Sequence, residues 1–294
     1  MRVRVRVPAT SANLGPGFDA LGLALALYNE VTAEEADEIV VTIEEEGRGR
    51  LDRGARNVVA RGVALGFEVA GRTFKGVSLR CVNRIPLSRG LGSSAAAWVG
   101  GLLAANALMG EPLDREAILA AATRAEGHPD NVAAAVLGGL TVSCPDGERV
   151  TAVSLTVPRG IEWVVLVPEM ESSTREARAV LPDSLPRADA VFNVQRVSLL
   201  LAALSAGRAD LLDLAMRDRL HQPYRQRLFP WMEAVAAAGR RAGALGCVLS
   251  GAGPSILAAS RAMETALREA GTAGRAVVLP VDARGATWER LPET

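Results

Sequence analysis

The chain has 294 residues, a formal net charge of zero at pH 7 and a hydrophobic fraction of 49%. This length accommodates about two globular domains, and the hydrophobic fraction excludes an intrinsically disordered chain. The zero net charge excludes a general electrostatic attraction to nucleic acid or to an anionic membrane surface. We therefore expect neither of them as a partner, and we expect any anion to be bound at a local site.

Residue usage narrows the chemistry further. Lys75 is the only lysine, so a catalytic lysine of the P-loop or protein-kinase type would have to be this residue, which lies outside every motif described below. Cys81, Cys144 and Cys247 are isolated and lack metal-ligand spacing, which predicts reduced, buried thiols in a cytoplasmic protein. Residues 2–7 alternate between arginine and valine, a pattern that predicts a half-exposed strand instead of a signal peptide.

The first half of the chain alternates strand and helix patterns around polar loops. Residues 90–110 carry no charge, but Asn106 and the glycines and serines at the start of this stretch favour a short buried helix over a membrane span. Residues 8–19 are predicted as a loop. In chain order, strands are predicted at 2–7, 21–27, 38–44, 77–82 and 140–143, and helices at 57–67, 95–109, 115–126 and from about 130 onwards.

The second half opens with an apolar strand at 162–167. The remaining elements are predicted as helices at 174–180, 189–206, 208–217, 230–242 and 260–270, a strand–loop–strand at 247–258 and a strand at 276–280. Because strands and helices follow each other in a non-repeating order, the predicted fold class is α+β. We place the boundary between the halves near residue 155, which gives domains at 1–155 and 156–294.

The sharpest motif is a glycine- and serine-rich loop between a predicted strand and a predicted helix. Gly90 and Gly92 can adopt positive φ and let backbone N–H groups approach a phosphate, and the following helix directs its free N–H groups to the same point. The lysine of a Walker motif is missing. The alternative is an ordinary strand-to-helix turn with serine as the N-cap. The motif comprises Pro86, Leu87, Ser88, Arg89, Gly90, Leu91, Gly92, Ser93, Ser94, Ala95 and Ala96.

A second polar motif spans residues 126–131, with the sequence EGHPDN. Phosphoryl transfer needs a magnesium ligand, usually one or two carboxylates, and Glu126 or Asp130 could serve. His128 is one of only two histidines, and a purely structural histidine is the open alternative. Asp130 could instead cap a helix that starts at Asn131.

Side chains that suit an amino acid substrate are spread over both halves. Asn13 and Asp19 could hold an ammonium group, or could stabilise turns through their own backbone. Thr174 is predicted as a helix N-cap with Arg178 on the same face, and Arg225 lies near a helix break. Two converging arginines would bind one carboxylate through paired hydrogen bonds, and solvated surface charge is the alternative for each.

Three motifs in this order resemble the homoserine kinase family, which belongs to the superfamily of galactokinase, mevalonate kinase and phosphomevalonate kinase. They are PATSANLGPGFD at 8–19, GLGSSAA at 90–96 and SGAGPS at 250–255. The glycine–serine loop alone indicates the superfamily. The first motif, together with residues 126–131 and the STREAR segment at 173–178, points to the homoserine kinases within it. The resemblance covers essentially the whole chain.

The resemblance implies a two-domain α+β fold, with an N-terminal half like domain 2 of ribosomal protein S5 and a ferredoxin-like C-terminal half. It implies ATP and Mg²⁺ as cofactors and L-homoserine as the substrate. Glu126, which matches the magnesium glutamate of the family, lies two residues before His128. In some family members the glutamate lies further before the histidine. The resemblance also implies residue roles by position. On the substrate side, the amino group would contact Asn13 and Asp19, and the carboxylate would contact Arg178 and Arg225, with Thr174 and His128 alongside. The catalytic amide beside the reacting hydroxyl matches Asn131, the magnesium-side residues match Ser94 and Glu126, and the adenine-side residue matches Asn57.

The implied activity is ATP-dependent phosphorylation of the side-chain hydroxyl of L-homoserine, the step that feeds threonine synthesis. The oligomeric state is left open, with a homodimer among the options. One alternative is another kinase of the same superfamily, acting on mevalonate or shikimate; these substrates lack the ammonium group that Asn13 and Asp19 would bind. The other alternative is a non-catalytic nucleotide sensor, which is expected to lose the magnesium carboxylate that Glu126 supplies here.

Overall fold

The computed structural model describes residues 1–158, 160–258 and 273–292, and its elements confirm the α+β class. The predicted helix at 260–270 lies outside the described residues. In the first half, the structure contains β1 (Arg2–Ala12), β2 (Leu21–Glu35), β3 (Ile39–Glu45), α1 (Val58–Val69), β4 (Val77–Asn83), α2 (Ser93–Leu108), α3 (Arg115–Glu126), α4 (Asp130–Leu137), β5 (Leu140–Asp146) and β6 (Arg149–Leu155).

Among the described residues, the first sheet has seven strands, with the order β11-β1-β2-β4-β3 and with β5 and β6 attached beside β2, where β11 comprises Thr287–Arg290. Val3, Val5 and Val7 are fully buried along β1 and alternate with more exposed arginines, so one face of the strand lies on the core. Helices α2 and α4 both contact β1 and β2. As predicted, α2 is a buried helix, and among the described residues no helix is long and apolar enough to cross a membrane.

The second half has its own sheet of four strands in the order β10-β7-β9-β8. Its central strand β7 is buried at every position, as its unbroken apolar sequence predicts. The described elements are β7 (Val164–Pro168), α5 (Thr174–Ala179), α6 (Arg187–Ser205), a 3-10 helix (Ala209–Leu211), α7 (Leu212–Ala215), α8 (Gln222–Arg225), α9 (Met232–Arg241), β8 (Cys247–Leu249), β9 (Ile256–Ala258), β10 (Gly274–Val278) and β11 (Thr287–Arg290).

Several boundaries differ from the sequence prediction. The predicted loop at 8–19 is wrong in its first part, because β1 continues through Pro8 to Ala12. The register shifts between Pro8 and Ala9, and such an irregularity tolerates the missing N–H of proline. The strands β6 and β11 and the short helix α8 were not predicted. Cys81 and Cys247 are buried as expected, but Cys144 is exposed.

The last strand returns to the first sheet. β11 pairs antiparallel with β1, and the backbone N–H of Leu291 donates to Arg2 O at 2.9 Å. The first sheet therefore contains strands from residues 2–155 and from 287–290. The predicted domains 1–155 and 156–294 stay a prediction.

Candidate active site

The glycine loop joins β4 to α2. Gly90 and Gly92 have φ of 73° and 69°, and Gly92 is the N-cap of α2 without a side-chain cap hydrogen bond. The alternative of an ordinary turn capped by serine is therefore wrong. A Cβ atom at Gly92 would lie 1.9 Å from Thr10 Oγ1, so the loop has no room for a side chain here. The N–H groups of the first turn of α2 have no capping side chain, as an anion site at a helix N-terminus requires.

A cavity of about 340 Å³ lies beside this loop, a volume within the range of small-molecule sites. Its lining includes five residues predicted to bind the nucleotide, namely Asn57, Leu87, Ser88, Ser93 and Ser94. Asn57 also caps α1, because its Oδ1 accepts from the N–H of Val59 at 2.9 Å and its Nδ2 donates to Asp52 O at 2.8 Å. The side chain of Asn57 is thus fixed at the wall of this cavity.

The other predicted loop residues play supporting parts. Pro86 is buried, and Leu91, Ala95 and Ala96 belong to the core of the first half. The guanidinium of Arg89 is already engaged, because Nε donates to Pro168 O at 2.8 Å and Nη2 to Glu169 O at 2.6 Å. These two bonds join the glycine loop to the last residue of β7 and to the residue after it.

The two predicted magnesium-side residues meet across the first half. Ser94 Oγ donates to Glu126 Oε2 at 2.6 Å, although the residues are 32 positions apart. The side chain of Glu126 is only 10% exposed. Burial raises the pKa of Glu126 above its usual value, and the hydrogen bond from Ser94 and the nearby His128 partly offset that rise. A cation at this point would relieve the cost of burying the carboxylate.

His128, Asp130 and Asn131 form a compact chain of polar contacts. His128 Nδ1 lies 2.6 Å from Asp130 Oδ1, and the same oxygen accepts from the N–H of Asn131 at 2.6 Å. Burial alone would lower the pKa of His128, but the hydrogen bond with Asp130 and the charges of Asp130 and Glu126 outweigh burial and raise it. The predicted cap is corrected, since α4 begins at Asp130 and its N-cap is Pro129.

Thr10 is a site residue that the sequence did not reveal. Its hydroxyl donates to Asn131 Oδ1 at 2.7 Å, and its N–H donates to Leu91 O at 3.1 Å. Thr10 is fully buried between the glycine loop and α4. Because the amide oxygen of Asn131 accepts from Thr10, the amide nitrogen is oriented away from Thr10. It donates over 3.5 Å to Asp130 Oδ1, which leaves its second N–H group as a donor.

The loop after β1 brings Asn13 and Asp19 together, and both have positive φ, at 72° and 55°. Asn13 Oδ1 accepts from the N–H of Asp19 at 3.1 Å, and its Nδ2 donates to Gly251 O at 2.9 Å. The turn-stabilising interpretation of Asn13 therefore holds in this structure. The second bond also ties this loop to the glycine loop at 250–255, which connects β8 to β9.

Asp19 and Arg178, predicted for opposite ends of one substrate, are paired with each other. Arg178 Nη2 donates to Asp19 Oδ1 at 2.7 Å and Nη1 to Oδ2 at 3.0 Å, with both side chains more than a third exposed. The predicted cap of α5 is wrong, because the N-cap is Ser173, which forms a capping box with Glu176. Thr174 is the first helical residue and is exposed.

The two predicted arginines converge, which sequence alone could not establish. The Cζ atoms of Arg178 and Arg225 both lie 5.5 Å from the ring centroid of Phe18. Arg225 is only 2% exposed. Burial, and secondarily the charge of Arg178, lower the pKa of Arg225 to about 10, so that it stays protonated at neutral pH. The alternative of solvated surface charge is excluded for Arg225.

Comparisons with known proteins agree with this geometry. Residues 56–139 match the model of the GHMP kinases N terminal domain, and residues 200–275 match the GHMP kinases C terminal model. Homoserine kinase from Moorella thermoacetica is 49% identical over 87% of this chain and 87% of its own. Homoserine kinase from Persephonella marina is 44% identical over 98% of this chain and 99% of its own. The chain belongs to the homoserine kinase family.

Solved structures extend the likeness to three dimensions. A crystal structure of homoserine kinase from Cytophaga hutchinsonii has a TM-score of 0.89 and 31% identity, and covers 98% of this chain and 97% of its own. A mevalonate kinase structure at 14% identity has a TM-score of 0.72 and shares the fold alone. The predicted family and the two-domain GHMP kinase fold are confirmed. The roles of the individual residues stay predictions.

Proposed function

We propose that this member of the homoserine kinase family phosphorylates the side-chain hydroxyl of L-homoserine with ATP, giving O-phospho-L-homoserine and ADP for threonine synthesis in the cytoplasm. One observation carries the substrate assignment. The Asp19 carboxylate and the two converging arginines, Arg178 and Arg225, present one anion and two cations around Phe18. A zwitterionic amino acid has the complementary charges.

The nucleotide would lie along the cavity, with its phosphates at Gly90, Gly92 and the start of α2. The residues present fit a magnesium ion, since the buried carboxylate of Glu126 is bonded to Ser94 Oγ. Among the described residues, no group of three or more His, Cys, Asp or Glu could hold a metal by itself. These donors suit Mg²⁺, which takes most of its ligands from phosphate oxygens and water. When bound, the ion would neutralise charge on the phosphates.

L-homoserine would bind with its ammonium group and its carboxylate at opposite ends of the Asp19–Arg178 pair. Its ammonium group would contact Asp19 and Asn13, and its carboxylate would contact Arg178 and Arg225. Thr174 and His128 would lie alongside. The hydroxyl end would then point to Asn131, whose amide is fixed by the bond from Thr10. Charge-assisted bonds at both ends of the substrate would orient it as well as bind it.

In the reaction, the substrate hydroxyl oxygen attacks the terminal phosphorus of ATP, and the bond to the bridging oxygen of ADP breaks. The Asn131 amide nitrogen would orient that hydroxyl, and the N–H groups of the glycine loop would stabilise the transferred charge. The transition state of phosphoryl transfer is loose, so the hydroxyl proton can leave late, to a phosphoryl oxygen. We therefore propose catalysis by positioning, without an obligatory side-chain base.

A coupled assay of ADP release, with L-homoserine, mevalonate, shikimate and galactose offered in turn, tests the proposal. We expect L-homoserine to give the highest kcat/KM by at least about tenfold. A preference for a substrate without an amino group would leave only the superfamily assignment. No ADP release with any of the four would favour a nucleotide sensor.

We also propose a homodimer that uses α6. Val191 and Val194, one helical turn apart, are 48% and 63% exposed on this helix. A subunit contact at this face of α6 would remove both valine side chains from water. Light scattering after size exclusion should give twice the monomer mass for the wild type and the monomer mass for Val194→Arg. A wild-type monomer at micromolar concentration would contradict the proposal.

A further inference from the structure

His221, the second of the two histidines, lies just before α8 and is completely buried. Its Nε2 lies 2.8 Å from Gly15 O, and its Nδ1 lies 3.0 Å from Arg225 Nη1. A carbonyl oxygen can only accept a hydrogen bond and a guanidinium can only donate one. The two partners therefore fix the imidazole as the neutral tautomer with its proton on Nε2.

We propose that His221 is a positioning residue for substrate binding, which holds Arg225 and the loop at 13–19 in the geometry that accepts an amino acid. The inference rests on the proposed function, because it assumes that Arg225 contacts the substrate carboxylate. His221 itself would touch neither substrate nor nucleotide.

The contacts of Arg225 define what has to be positioned. Its Nε donates to Ala177 O at 3.1 Å, and its Nη1 donates to Gly251 O at 2.9 Å as well as to His221. Among the described residues, no hydrogen bond involves Nη2. The guanidinium is planar and rigid, so fixing Nε and Nη1 also fixes the direction of Nη2. Nη2 is thus the nitrogen that would meet a carboxylate.

The same imidazole supports the opposite wall of the site. Its Nε2–H bond holds Gly15 O in the loop between Asn13 and Asp19. Its ring stacks on Phe18 with centroids 5.2 Å apart and planes inclined by 28°. Phe18 in turn lies beside both substrate-side arginines. One side chain therefore joins the loop of the predicted ammonium site to the arginine of the predicted carboxylate site.

Asp218 fixes the backbone around His221. Its side chain is fully buried and accepts from the backbone N–H groups of Leu220, His221 and Gln222, at 2.9, 3.0 and 2.7 Å, and from Asn193 Nδ2 at 2.7 Å. The charged groups that act on His221 are Asp218, Arg225 and Asp19. Burial, ahead of these charges, lowers the pKa of His221 to about 4, which keeps the ring neutral at physiological pH.

Two conservative substitutions separate the two bonds of the ring. His221→Asn retains an acceptor near the position of Nδ1, facing Arg225, and loses the donor to Gly15 O. His221→Gln retains a donor near the position of Nε2 and loses the acceptor for Arg225. We expect the homoserine KM to rise by about 10- to 100-fold in His221→Gln and by about 2- to 10-fold in His221→Asn. The KM for ATP and kcat should change by less than about threefold in both.

Arg225→Ala, measured in parallel, separates the failure of this inference from the failure of the proposed function. If Arg225→Ala leaves the homoserine KM unchanged, the carboxylate site itself is misplaced. If Arg225→Ala raises it and His221→Gln does not, the positioning role is wrong. A loss of kcat with equal changes in both KM values would also overturn the inference, because it would indicate general structural damage.

A measurement on the wild-type protein covers the case in which the variants do not fold. Nitrogen NMR of ¹⁵N-histidine-labelled protein at pH 7 should show His221 with a protonated Nε2 and an unprotonated Nδ1. Addition of L-homoserine should shift the Nδ1 resonance, because Nη2 of Arg225 would then gain its partner. A protonated Nδ1, or a spectrum of His221 that L-homoserine leaves unchanged, would contradict the proposal.

Discussion

The two histidines of the chain both lie beside carboxylates, but their pKa values are shifted in opposite directions. His128 lies between two carboxylates, Glu126 and Asp130, and its pKa is raised. His221 lies beside the guanidinium of Arg225, and burial lowers its pKa. Both rings are buried, so burial by itself does not decide the protonation state. The balance between burial and the neighbouring charges decides it: the carboxylates outweigh burial at His128, and burial outweighs the charges at His221. Under the proposed function, the first region serves phosphate chemistry and the second is a fixed frame for the substrate.

The comparison yields a general expectation for kinetics. Substitutions around Glu126 and Asn131 should lower kcat, because those groups act on charge and atoms that change during the reaction. Substitutions around Asp19, Arg178 and Arg225 should raise the homoserine KM, because those groups bind parts of the substrate that do not react. The following experiments are arranged from the largest expected effect to the smallest.

Glu126→Gln should have the largest effect. The change keeps the size of the side chain and removes the charge that would face magnesium, so we expect kcat to fall by about 100- to 1,000-fold. The homoserine KM should change by less than about threefold, because the proposed substrate contacts are made by Asp19, Arg178 and Arg225. Steady-state kinetics with Glu116→Gln, an exposed residue on the same helix, provides the matched control. A wild-type kcat for Glu126→Gln would transfer the metal role to another residue.

Arg178→Ala should have the opposite kinetic signature to Glu126→Gln, with its main effect on the homoserine KM. Loss of a charge-assisted contact to the carboxylate should raise the homoserine KM by about 10- to 100-fold and leave the ATP KM nearly unchanged. Arg178→Lys should recover only part of the affinity, because an ammonium cannot reproduce the two-pronged contact seen with Asp19. Arg175→Ala on the exposed side of α5 is the control. Equal KM values in Arg175→Ala and Arg178→Ala would contradict the prediction.

Thr10→Val should produce a smaller loss of turnover. Valine has nearly the shape of threonine but cannot donate to Asn131, so the amide is free to rotate and kcat should fall by about three- to tenfold. Thr10→Ser restores a hydroxyl and should recover most of the activity. Both variants should be compared by steady-state kinetics and thermal unfolding. If Thr10→Ser is as slow as Thr10→Val, the hydroxyl is not the important group.

Titration of the two histidines in the wild-type protein should show the difference between their pKa values. In proton NMR, His221 should titrate near its expected pKa of about 4 and His128 above 6.5. The depressed pKa of His221 contributes stability that is present above 6.5 and is lost as the pH falls toward 4, by on the order of 3 kcal/mol. The raised pKa of His128 contributes stability below 6.5 that is lost as the pH rises through its folded value.

Urea unfolding at a series of pH values measures the sum of the two terms. His221→Asn should remove the contribution of His221 and leave that of His128. The stability of this variant should therefore depend less on pH between 6.5 and 4. An unchanged pH dependence in that variant would show that other groups dominate acid unfolding.

The sequence predicted the family and the glycine-rich loop between β4 and α2 well, because both depend on local patterns. Gly90 and Gly92 are recognisable from their spacing alone, and Ser94 follows directly. The prediction failed where a residue acts through a distant partner. Thr10 and Asn131 are 121 positions apart, and His221 and Gly15 are 206 apart. No periodicity in the chain indicates such pairs, and their roles appear only when the fold brings them together.

Local misassignments had more ordinary causes. Ser173 and Thr174 are both good N-cap residues, and only the reciprocal bonds with Glu176 decide between them. The strand β11 has four residues, which is the lower limit of the runs that a period-two pattern can identify.

The return of β11 to the first sheet has a consequence for synthesis. A ribosome releases residues 2–155 long before 287–290, so the edge of β1 that β11 covers stays unpaired while the rest of the chain is made. Completion of the first sheet is therefore a late event with high contact order. Until residues 287–290 are made, the growing chain would present an open strand edge with unpaired N–H and C=O groups.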